Sequence, residues 1–166
     1  MSSTTSVYSE ALKSALDELN KAHSREMVEN ATFALSNIGQ EAVTPLIELL
    51  ESGEWKGTIY GILASIGDPL AIPCFVDGLD DKSKWVRWSA AEALIKMPSP
   101  DALEGLLRCL KDRDSLVRSA AVSAVAAIGN PVAVQPLTKM LDKKSLKDGE
   151  RILVAKTIRN LQAGNG

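Results

Sequence analysis

The sequence predicts an all-α protein, a right-handed α-α superhelix built as a short solenoid of about five helical hairpins. Three observations carry that expectation. Residues 67–97 and 98–128 superpose without gaps at an offset of 31 positions. Within both copies, apolar residues recur at helical spacing. No stretch sustains the period-2 alternation of β-branched residues that a sheet requires. One hairpin cannot bury its own apolar face, whereas stacked hairpins bury a continuous core between layers.

The elements follow in order. The first unit, 7–38, holds helices at about 7–21 and 24–38, the second closing on Ala31, Ala34, Leu35 and Ile38. The second unit, 39–66, opens at Gly39 and is about three residues short. Its helices fall at about 40–52 and 54–66, joined by Gly53-Glu54-Trp55-Lys56-Gly57. In the third unit, 67–97, helices at 69–79 and 83–97 follow Gly67-Asp68-Pro69. In the fourth, 98–128, Ala102, Leu103, Leu106, Leu107 and Leu110 mark a helix at 100–111. Val117, Ala121, Ala124, Val125 and Ile128 mark another at 114–128. Here Asp81 falls on Asp112, Arg87 on Arg118 and Ala90 on Ala121. The fifth unit, 129–162, repeats Pro131, Ala133, Leu141 and Ala155, with helices at 131–142 and 146–162. No low-complexity linker interrupts the chain, so a single domain over 1–166 is expected. Small alanines on the second helices let neighbours approach closely.

Composition narrows the chemistry. The chain is 45% hydrophobic and 24% charged with formal net charge −2, which suits an ordinary folded domain. Near-neutrality gives no electrostatic drive toward nucleic acid or anionic lipid. No apolar run approaches the roughly 20 residues that span a bilayer. The first residues lack a basic segment followed by an apolar core, so a secretory signal is not expected and a cytoplasmic location is. His23 is the only histidine, which disfavours a multi-histidine metal site and a histidine relay. No cofactor, metal or catalytic set is expected.

Several residues invite a functional reading. Asp81/Arg87 and Asp112/Arg118 recur once per layer, as a structural ladder does and a catalytic pair does not. The Asp is expected to cap its turn and the Arg to bridge layers. His23 reads as a solvated turn residue. Cys74 and Cys109 read as buried small hydrophobes with no cation nearby to activate a thiolate. Lys111, Arg113, Lys139, Lys143, Lys144 and Lys147 read as a solvated basic surface.

The second helices carry a more specific stripe. Trp88 and Glu92 share a face by i, i+4 spacing, with Trp85 one turn earlier. The repeat offset carries that face to Gly57 and Gly61, to Phe33, to Ser119 and Ser123, and to Glu150, Val154 and Ile158. A glycine inside a helix costs roughly 1 kcal/mol relative to alanine. Two accounts could offset that cost. Gly57 and Gly61 could let a helix or a Trp ring pack close, or they could floor a trough between Phe33 and the Trp85/Trp88 pair.

Gly67-Asp68-Pro69-Leu70-Ala71, the Asp-to-Arg spacing of six and Gly129-Asn130-Pro131 resemble the HEAT-repeat family, and most nearly its phycobilisome-lyase-type branch. The resemblance implies that second helices line a concave face. It also implies that Phe33, Gly57, Gly61, Trp85, Trp88, Glu92, Ser119 and Ser123 would meet a partner there. Two functions stay open. One is a non-catalytic scaffold that binds a partner protein's peptide or helix. The other, implied by the branch, is a subunit that attaches bilin tetrapyrroles to light-harvesting proteins or removes them, commonly as a heterodimer. HEAT-type hydroxylases hold a metal with His-Glu pairs, which His23 alone does not allow.

Overall fold

A computed structural model describes residues 9–143 and 146–164. Among them every regular element is helical. The chain divides into two compact units, Met1–Ala71 and Ile72–Gly166. The division falls inside the third sequence repeat, just after its opening turn.

The first unit contains α1 (Glu10–Asn20), α2 (Arg25–Ile38), α3 (Val43–Leu50) and α4 (Lys56–Ile66). Ser9 caps α1 by accepting from the Leu12 amide, and Ser24 caps α2 by accepting from the Met27 amide. α1 packs on α2, and α4 packs on both α2 and α3. Leu12, Leu19, Leu35, Leu46, Ile59 and Leu63 are fully buried between these helices. Each such leucine or isoleucine contributes roughly 1.5–3 kcal/mol by leaving water.

The second unit contains α5 (Ile72–Gly78), α6 (Lys84–Lys96), α7 (Leu103–Cys109), α8 (Ser115–Ile128), α9 (Val134–Leu141) and α10 (Asp148–Ala163). α8 packs against α6 on one side and α10 on the other. Ala90, Ala91, Ala121 and Ala124 are all buried at these contacts, so the small side chains do permit close approach. Phe75, Leu94, Leu106, Val125, Leu137 and Val154 complete the core.

The first helix of each later repeat differs from expectation in one respect. It does not run as one α-helix from its opening proline. A 3-10 turn comes first, at Pro69–Ala71, Pro100–Ala102 and Pro131–Ala133, and the α-helix starts after it. A second proline accounts for the turn in the third and fifth repeats; the fourth, whose Leu103–Cys109 helix contains none, makes the same turn behind its Ser99 cap. An α-helix begun at Pro69 would place Pro73 in its interior, where the ring collides with the carbonyl four residues back. Restarting at Ile72 puts Pro73 in the first turn, where no amide is needed. Val134 does the same for Pro136 and Val43 for Pro45. Asp68, Ser99 and Asn130 hold these turns by accepting from the amides of Leu70, Asp101 and Val132.

Candidate docking face on the second helices

The Asp/Arg ladder lies at the N-terminal ends of the second helices. The Arg87 guanidinium grips both Asp112 oxygens, with Nε and Nη2 at 2.7 and 3.0 Å. Its Nη1 donates to the carbonyls of Asp81 and Lys82. One side chain thus ties its own turn to the next one. Asp81 and Asp112 each accept an amide two residues on, from Ser83 and Asp114. Arg118 repeats the arrangement on the carbonyls of Asp112 and Arg113, but its carboxylate partner is Glu150, at 2.9 and 3.0 Å. Desolvation pushes the Asp112 carboxyl up, but the Arg87 and Asp114 hydrogen bonds outweigh it and hold the pKa below the ordinary value. The Arg87 bond to Asp112 raises the guanidinium's own pKa.

A polar cleft of about 250 Å³ beside this ladder is lined by Asp80, Asp81, Arg87, Arg108, Cys109 and Asp112. Its charges hold each other, Arg108 bonding Asp80 at 2.6 Å. The buried Cys109 thiol sits 3.5 Å from the Leu79 carbonyl, and burial first, then Asp112 and Asp80, push its pKa up to about 11. Burial and then Asp77 raise the Cys74 thiol as well. Neither thiol is thereby activated toward the thiolate. His23 lies exposed between α1 and α2, with Nδ1 donating to the Lys21 carbonyl at 3.2 Å. Among the described residues no cluster of three or more His, Cys, Asp or Glu could hold a metal.

The expected stripe divides between the two units, and each part is described by itself. In the first, Phe33 is 72% exposed, Gly57 is half-buried and Gly61 is exposed. A Cβ placed on Gly61 would meet nothing within 4 Å. The close-packing account of Gly61 is therefore overturned, since no neighbour occupies the space its missing side chain leaves.

In the second unit Trp85 is 57% exposed and Trp88 half-buried. Their rings meet edge to face at 6.5 Å and 87°. The Lys84 ammonium lies 4.8 Å from the Trp85 ring centroid and bonds Asp114 at 2.9 Å. Glu92 is exposed, and Ser119 and Ser123 are half-buried.

The stripe's last expected members are corrected. Glu150 is buried on Arg118, Val154 is fully buried, and neither faces outward. The reason is a two-residue shift in the fifth repeat. Arg151 donates to the Leu141 and Lys143 carbonyls, which is the part that Arg87 and Arg118 play on their own turns. Counting from Arg151, the position of Trp88 and Ser119 belongs to Ile152, which is 71% exposed. The position of Trp85 on α8 is Leu116, 48% exposed. Trp85, Leu116 and Ile152 are thus exposed apolar residues, one from each of α6, α8 and α10, with Ile152 one turn further along its helix than the shared position of Trp85 and Leu116, which falls on Gly149. The constant offset of 31 already pointed to Leu116. Ile152 was hidden by the shift, which the Arg87, Arg118, Arg151 series would have revealed.

Hairpins stacked by repeated Asp/Arg turns and alanine-lined second helices define a HEAT-type repeat protein. The chain belongs to the HEAT-repeat family, whose model matches residues 56–124 and 75–156. The PBS lyase HEAT-like repeat model matches residues 28–52. A phycocyanobilin lyase subunit alpha from Synechococcus elongatus is 30% identical over 129 residues, which is 70% of this chain. The chain spans 45% of that relative's length. A chain in the complex of CpcE and CpcF of phycocyanin lyase from Nostoc sp. PCC7120 shares the fold, with a TM-score of 0.75 at 21% identity. That match covers 89% of this chain and 97% of the other.

Proposed function

We propose that this chain is a subunit of a bilin-lyase-type assembly and contributes binding surface rather than reacting groups. The observation that carries the reading is that Trp85, Leu116 and Ile152 stand exposed on three successive second helices. Aromatic and aliphatic groups exposed on rigid helices are favourable anchors, because little entropy is lost when they are covered. The charged groups of the adjoining cleft are spent on one another, and the thiols are not activated toward the thiolate. Neither offers a free acid, base or nucleophile. The bilin part of the reading rests on the similarity to a phycocyanobilin lyase subunit, and the protein partner on the similarity to a chain found in a two-subunit lyase. Under this reading the exposed residues of α6, α8 and α10 meet the partner protein, and the open space at Gly61, with Phe33 exposed in the same unit, suits a flat conjugated ligand.

The test is spectroscopic. The chain is mixed at micromolar concentration with phycocyanobilin, alone and with CpcE or CpcF added, and the visible spectrum is recorded. A shifted and sharpened band that weakens in Gly61→Trp is expected, and where the band needs the added subunit it weakens in Trp85→Ala too. A spectrum equal to free pigment in all three mixtures would rule out bilin handling. Capture of CpcE or CpcF without a spectral change would leave the plain protein-binding scaffold as the correct reading.

A further inference from the structure

We infer that the cleft between α7 and α9 is a docking site for an acidic amphipathic helix of a partner protein. It lies on first helices and owes nothing to the exposed residues of the second helices. Leu107, Leu110, Pro136 and Met140 floor a recess of about 50 Å³. That exceeds the share of one water molecule and suits the end of one aliphatic side chain. Lys111, Lys139 and Lys143 rim it, and all three are exposed. Among the described residues none of them lies within ion-pairing distance of a carboxylate. The nearby Glu104 is engaged by Arg108.

The repeat supplies an internal comparison. The corresponding cleft of the first unit, between α1 and α3, keeps the floor type with Leu16, Pro45 and Leu49. Its rim is different. Glu48 stands where α9 has Lys139, and Ser52 stands where Lys143 follows α9. Lys13 also lines that cleft, but it is paired with Glu10 and stands with Asp17 and Glu48, so the apolar floor recurs there without a rim of three lysines.

Charge and shape together select the occupant. Three unpaired ammonium groups around an apolar recess complement a helix that inserts a leucine and flanks it with Asp or Glu at i±3 and i±4. A nucleic acid would use the charges but not the aliphatic floor, and the cleft offers no aromatic ring on which bases could stack. A membrane surface needs protruding apolar groups, whereas Leu110 and Met140 are recessed and buried.

The probe is a fluorescein-labelled stapled helix of about 16 residues, with leucines on one face and glutamates elsewhere, read by anisotropy. Three comparators are used: the same composition scrambled so that no apolar face forms, a version with lysine for glutamate, and a labelled single-stranded DNA. Only the acidic amphipathic helix is expected to bind in the micromolar range. Lys139→Glu/Lys143→Glu is expected to weaken it at least about tenfold, and raised salt to weaken it too. Leu107→Ser tests the floor and is expected to weaken binding at constant charge. Trp85→Ala is expected to leave binding unchanged, which separates this site from the exposed second-helix residues. Equal binding of the scrambled helix or the DNA would overturn the proposal. So would an unchanged affinity in Lys139→Glu/Lys143→Glu, or no binding below about 1 mM.

Discussion

Arg87 holds two turns with one side chain, and its consequences are measurable. Both members of the Arg87–Asp112 pair are 10% exposed. Removing one leaves a poorly solvated charge and two turn carbonyls without their donor, so Arg87→Ala is expected to cost about 2–3 kcal/mol. Urea denaturation at neutral pH measures it. The pH dependence has a definite sign. The folded pKa of Asp112 lies below its ordinary value, so its contribution is fully present above the ordinary carboxylate range. It is lost as pH falls through the folded value. Asp112→Asn should therefore flatten the loss of stability below about pH 4, and an acid limb as steep as that of the parent chain would contradict the assignment. Gly105 makes a second case. A Cβ there would stand 2.7 Å from Leu79 Cδ1, and Leu79 is itself buried. Gly105→Ala gains roughly 1 kcal/mol of helix propensity but must displace a packed methyl at about 1–3 kcal/mol. Net destabilisation is expected in Gly105→Ala. A double-mutant cycle with Leu79→Ala should show the two residues coupled.

Helices and their faces were largely legible because burial repeats with the same spacing as the apolar residues. Two features were not. Helical periodicity alone does not distinguish a 3-10 turn followed by an α-helix from one continuous helix; Pro45, Pro73 and Pro136 do so in three of the first helices, and the fourth repeat, which lacks such a proline, gives no such signal. A constant offset carried past the two-residue shift of the fifth repeat turns Glu150 and Val154 outward, whereas both are buried, and does not find Ile152. The two accounts of Gly61 are not separable by sequence, since both need a small residue. The open space beside it now yields a clear expectation. Gly61→Ala adds a methyl that meets nothing, so it should stabilise the chain by roughly 1 kcal/mol through helix propensity. Thermal melting tests the stability, and pigment titration of the same variant tests the function. Stabilisation with weakened pigment binding would mean that the glycine is kept for the ligand. Stabilisation with unchanged binding would remove Gly61 from the site.

Over the whole molecule, the repeat dictates where apolar side chains must be buried but leaves each exposed face free to vary. That is why the family was readable from a few recurrent residues while the docking face was not. Exposure of an apolar side chain is not itself evidence of use: Val132 is 64% exposed and Leu70 also 64%, each alone on a 3-10 turn. The second-helix residues differ by standing within one turn of each other's repeat position on three successive helices, so that one partner could cover them together. This distinction makes a prediction. Under the proposed lyase-type reading, Leu116→Asp/Ile152→Asp, both on exposed positions, should leave the fold intact and abolish or weaken by at least about tenfold any capture of CpcE or CpcF, since two charges would have to be desolvated in the interface. Val132→Asp adds a charge to an equally exposed apolar position and should leave capture unchanged. Circular dichroism establishes that the variants fold, and affinity capture with each tagged subunit measures binding. If all the variants lose capture alike, added charge rather than these second-helix positions is responsible; if none does, the partner sits elsewhere on the molecule.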